Sequence, residues 1–174
     1  LVSFQATAGT TYYIQVGGWA GSSGEGVITL SEAIVSIVCP GVANSTGARA
    51  FLKAEGSLAV ADNDLTLNVS DLPQNQGVLL VNSPDVTFIA NPSGSQGNLC
   101  IYSSDLGRHV NDILSSGATG TASLVLDLTS IPTANGFASV VAGETRYWQA
   151  WYRDVDGTGS ATSNFSSAIG VTFN

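Results

Sequence analysis

The amino-acid sequence predicts an all-β chain: an antiparallel β-sandwich of jelly-roll or Ig-like type, with an extra N-terminal set of about three strands. Apolar residues recur with the period of a half-buried strand. Leu65, Leu67 and Val69 alternate with Thr66, Asn68 and Ser70, and Leu124, Leu126 and Leu128 alternate with Val125 and Asp127. Turn-forming clusters punctuate these runs at short intervals, among them Asp62-Asn63, Asn91 to Gly97, Ala134-Asn135-Gly136 and Asp156 to Gly159. Only residues 105 to 115, with Leu106, Val110 and Ile113, are spaced as a short helix would be.

In chain order, strands are expected over residues 2 to 7, 11 to 17 and 26 to 31, then 47 to 55, 65 to 70, 77 to 82, 86 to 90 and 98 to 103. After the helical candidate come 124 to 128, 137 to 142, 145 to 154 and 168 to 173. A boundary falls near Ser31 to Ile34, dividing the chain into residues 1–32 and 33–174. The first segment holds too few strands to bury a core of its own and needs a partner sheet, from the rest of the chain, from an upstream portion or from another copy. A chain that opens on Leu1 and contains no methionine is expected to be a piece of a longer product.

The 174 residues are 44% hydrophobic and only 10% charged, enough apolar material for a folded core. A net charge of -8 repels phosphate backbones and anionic lipid, so nucleic acid is excluded as a partner. No run approaches the length of a membrane span, so no membrane insertion is expected. Cys39 and Cys100 are the two cysteines, with no CxxC pair and one histidine, so neither a structural zinc site nor a thioredoxin-like motif can be built. A single disulfide is the natural reading, against two buried free thiols in a reducing compartment. A disulfide, with few lysines and much Ser, Thr and Gly, suits an extracellular or cell-surface protein.

Residues 4 to 30, and especially TAGTTYYIQVGGWAGSSGEGVITL, resemble the last strands of the bacterial pre-peptidase C-terminal (PPC) domain, a β-sandwich accessory domain of secreted proteins. Residues 39 to 174 resemble a β-sandwich found near the C-termini of large secreted proteins of planctomycetes and similar marine bacteria. The segments CPGVANSTGARA, LAVADNDLTLNVSDLP, GSQGNLCI, LDLTSIP and GETRYWQAWYRD, followed by SNF, carry that second likeness. It implies location and architecture without an activity, and it implies that Cys39 and Cys100 pair.

The usual signatures of catalysis are missing. There is no GxSxG elbow, HExxH, Walker A loop or GxGxxG, and the one histidine, His109, reads as structural or surface. Asp62 and Asp64, flanking Asn63, and Asp154 and Asp156, before Gly157, are candidate oxygen ligands for calcium; otherwise no cofactor is expected. Turn-forming Asx residues are the competing reading of both pairs. In the segment Tyr147 to Asp154, alternation places Tyr147, Gln149, Trp151 and Arg153 on one face and Trp148, Ala150, Tyr152 and Asp154 on the other. Either the first face is an exposed platform for stacking sugar rings, with Trp19 contributing, or another layer covers it. The leading expectation is a non-catalytic module for adhesion or self-association, its partners other copies of itself or neighbouring domains. The alternative is a carbohydrate-binding accessory module of a secreted hydrolase, with polysaccharide as its partner.

Overall fold

The computed structural model describes Thr11, Tyr13 and residues 35–174. The strands expected over 2 to 7 and 26 to 31, most of 11 to 17, and Trp19 lie outside those residues. The chain divides into Leu1–Glu32 and Ala33–Asn174, and the second unit is the one whose elements follow.

Its strands are β1 (Ser36–Cys39), β2 (Phe51–Gly56), β3 (Leu65–Ser70), β4 (Gly77–Ser83), β5 (Val86–Ile89), β6 (Leu99–Ile101), β7 (Gly107–Arg108), β8 (Leu114–Ser115), β9 (Ala122–Leu126), β10 (Ile131–Thr133), β11 (Gly136–Ala138), β12 (Thr145–Val155) and β13 (Ala161–Thr172). All pairings are antiparallel. One sheet runs β1-β13-β12-β4-β7, with β8 also on β4; the other runs β2-β3-β9, and β5-β6 and β10-β11 form two-stranded ribbons.

The core lies between the two larger sheets. Leu52, Leu65, Leu67, Val69 and Leu126 meet Leu80, Trp148, Ala150, Tyr152, Ile169 and Val171, all essentially without solvent contact. The strict alternation of β3 fixes its register, because a one-residue slip would turn Leu65, Leu67 and Val69 outward together, forfeiting roughly 5–8 kcal/mol of burial. Where β13 crosses from β12 toward β2, Gln149 pairs with Ala168 but Trp151 with Phe165, so β13 carries one extra residue there. Serine hydroxyls take over the interrupted bonding: Ala150 N donates to Ser166 Oγ and Leu52 N to Ser167 Oγ, each at 2.9 Å.

The large sheet has a second, smaller core on its other side, built from Val81, Cys100, Ile101, Leu106 and Ala168, with Val38, Cys39, Leu79, Leu99 and Tyr147 around it. The disulfide Cys39–Cys100, Cα atoms 6.3 Å apart, joins β1 to β6 across this layer.

The short helix expected over 105 to 115 is not formed. Val110 and Ile113 are exposed while Leu106 is buried, so the three share no buried face. Instead Gly107–Arg108 pairs with Val81 and Asn82, and His109 N donates to Leu80 O, holding the segment against β4. A Cβ at Gly107 would overlap the Pro132 carbonyl, so the closeness of this approach requires glycine.

Candidate functional site

The four residues expected to form a platform on β12 have separate fates. Tyr147 is half-buried in the second core, and Gln149 is fully buried. Gln149 Oε1 accepts from Cys100 N, while Nε2 donates to Asn98 O and Ser166 O, each at 2.9 Å. Its amide thus stitches β6 and the bulged part of β13 onto β12, and it has no surface to offer a ligand. The platform as expected is therefore corrected to Trp151, half-buried, and Arg153, exposed, whose guanidinium carbon lies 5.0 Å from the centre of the Trp151 ring.

The acidic pairs are occupied by their own neighbourhoods. Asp154 is buried and accepts from Ser45 N, Val155 N and Asn164 Nδ2, clamping the Asn44–Gly47 turn to β12 and β13. Asp156 accepts from Thr158 N, Thr158 Oγ1 and Ser160 N; the Thr158 hydroxyl, then the backbone, hold it below the ordinary carboxylate value. Asp62 accepts from the Ser57 hydroxyl, and Asn63, in the left-handed region at φ 45°, accepts from Leu128 N and donates to Asp127. Among the described residues no three His, Cys, Asp or Glu side chains gather as a cation cage. Asn63 and Asp156 thus serve as turn-forming Asx residues, Asp154 is a strand residue that clamps a turn, Asp64 is exposed beside Asn63, and among the described residues neither the Asp62/Asp64 nor the Asp154/Asp156 calcium expectation finds an assembled ligand set.

His109 is buried at 5% exposure, its Nδ1 3.9 Å from Asp112 Oδ2 and its Nε2 without a hydrogen-bond partner, and among the described residues no serine hydroxyl bonds to it. Burial drives its pKa down to about 4, with Asp112 opposing. The unfolded chain, with an ordinary histidine near 6.5, binds this proton first as pH falls. Its contribution to stability is therefore full above pH 6.5 and, at about 3 kcal/mol, is lost as pH falls toward 4. Urea unfolding of His109→Leu should lose that dependence between pH 6.5 and 4; a variant with the wild-type slope would assign it elsewhere. The buried Tyr152 phenol is pushed up by burial, with Asn44 opposing and the Asp154 charge adding to it.

Concavities on the described surface include a groove and a smaller cavity. A groove of about 500 Å³ crosses the outer face of β2-β3-β9, where Lys53, Asn68 and Ser123 stand side by side in register and Glu55 accepts from both Lys53 and Asn68. A cavity of about 140 Å³ lies between Arg108–Asp112 and the outer side of β9, with Phe137 of β11 at its wall. Sequence reasoning missed both. The outward members of the β2 and β3 alternation pointed to the groove, whereas the cavity joins segments no motif connects.

No protein family, curated protein or solved structure matches this chain. The reading of function therefore rests on the chain's own surfaces.

Proposed function

We propose that this chain is a non-catalytic extracellular module that mediates adhesion or self-association. One observation carries the reading. Large apolar side chains stay exposed at many points of the described surface, among them Val86, Phe88 and Tyr102 at the β5-β6 ribbon and Val110, Val125 and Phe137 around the smaller cavity, besides Ile37, Ile113, Val141 and Val155 elsewhere. Exposed apolar clusters of this kind mark interaction surfaces. The Cys39–Cys100 disulfide is compatible with an oxidising, extracellular setting, and among the described residues no helix is long and apolar enough to cross a membrane. On this reading residues 4 to 30 are the tail of a PPC domain, and the whole belongs to a larger secreted bacterial protein.

The carbohydrate-binding alternative is weakened by the burial of Gln149, which among the described residues leaves Trp151 and Arg153 as the remnant of its platform. Light scattering of the full chain over a concentration series distinguishes the two. The proposal expects a molar mass that rises to a defined multiple of the single chain. A strict monomer that binds a polysaccharide would overturn it in favour of the alternative.

A further inference from the structure

We propose that the face around the smaller cavity is a two-fold self-association surface, in which the Phe137 ring of each copy enters the cavity of the other and Arg108 of each faces Asp112 of the other. This rests on the self-association reading above and names its partner, a second copy of this chain, and its geometry.

Phe137 supplies the knob. It lies on the short β10-β11 ribbon opposite Pro132, which is buried, while its own ring is 63% exposed. The hole opens beside it, exposed to solvent and lined by polar as well as apolar groups, and its volume of about 140 Å³ has room for an aromatic ring. Val110 and Val125, both more than half exposed, give the hole an apolar rim, and the neutral, buried His109 forms part of its wall. A knob and a hole of matched size on one face suit an isologous contact, because a single two-fold axis satisfies both at once.

Charge on the same rim points the same way. Arg108 is exposed and makes no ion pair among the described residues, although acids outnumber bases thirteen to five along the chain. Asp112 lies four residues on, also lining the cavity, with its side chain 51% exposed. The rim thus carries a cation unpaired among the described residues and two exposed carboxylates, Asp112 and Asp127, and a two-fold axis passing between Arg108 and Asp112 sets each against its opposite on the other copy. A foreign partner would have to supply both a complementary ring and a complementary charge pair; a second copy already has them.

Sedimentation equilibrium of the full chain tests this with Phe137→Asp, Arg108→Asp and the double exchange Arg108→Asp/Asp112→Arg. Phe88→Asp, on the β5-β6 ribbon, serves as the control, and far-UV circular dichroism of each variant establishes that it is folded. Phe137→Asp and Arg108→Asp should each raise the dimer Kd roughly tenfold or more, the double exchange should recover most of that loss, and Phe88→Asp should leave it unchanged. Should Phe137→Asp fail to fold, the Arg108 and double-exchange pair decides alone. A wild type that associates but is insensitive to Arg108 and Phe137, and sensitive to Phe88, would overturn this interface while leaving the self-association reading intact. A wild type that stays monomeric would overturn both.

Discussion

Gln149→Leu lowers the unfolding free energy by about 4 kcal/mol, the sum of three backbone groups deprived of partners at roughly 1–3 kcal/mol each, after partial relaxation. Leucine is close to glutamine in size, so little of that loss is cavity formation. The affected groups are Cys100 N, Asn98 O and Ser166 O, the first and last of them buried. Arg153→Ala, on the same strand face but in solvent, should cost about 1 kcal/mol or less, the worth of one exposed cation-ring contact. Urea unfolding compares them directly. A Gln149→Leu variant as stable as wild type would mean that the outer face of β12 is open to water, and the platform reading would return with it.

Loss of the Cys39–Cys100 disulfide is the other large effect. The residues it joins are 61 apart in sequence, and on the chain-entropy account closing such a loop stabilises the fold by about 4 kcal/mol. Its location adds a structural consequence: it fixes β6, and with it the β5-β6 ribbon, over the second core beside β1. Cys39→Ala/Cys100→Ala should therefore unfold at a lower urea concentration than the oxidised wild type, and reduced wild type should behave like the variant. Identical midpoints under oxidising and reducing conditions would show that the layer holds without its bond.

The fold class was legible because β3 and β9 bury one face only, and one-sided burial writes itself as alternation. Leu65, Leu67 and Val69 declare their direction without help. Strand β12 is buried on much of both sides, so its alternation produced two aromatic faces with nothing to say which looked outward. Gln149 compounded this: a polar residue between aromatic ones reads as surface, yet here it is the backbone of β6 and of the β13 bulge that demands an amide in the interior. The polar run Ala161 to Ser167 was hidden for the same reason. Asn164, Ser166 and Ser167 are buried to satisfy a bulge and a neighbouring turn, and no hydrophobic period marks them as strand.

The candidate interface was illegible for a different cause. The Ala134-Asn135-Gly136 cluster marks a turn, and Ala134 and Asn135 do turn the chain from β10 into β11, but nothing local places Phe137 beside Arg108, Val110 and Val125. Those residues come together only because the segment after β7 is pinned to β4 and lies against β9. The helical spacing of Leu106, Val110 and Ile113 was misleading in itself, since the latter two are apolar residues retained at the surface.

On the proposed interface, another copy of the chain covers this exposed apolar surface. Hydrogen exchange of the full chain in dilute and concentrated solution tests it most directly, because it reads both association and its location. Amides over residues 108 to 113 and 123 to 138 should exchange more slowly in the concentrated sample, with the β5-β6 ribbon unchanged. Exchange that is independent of concentration throughout the chain would contradict it.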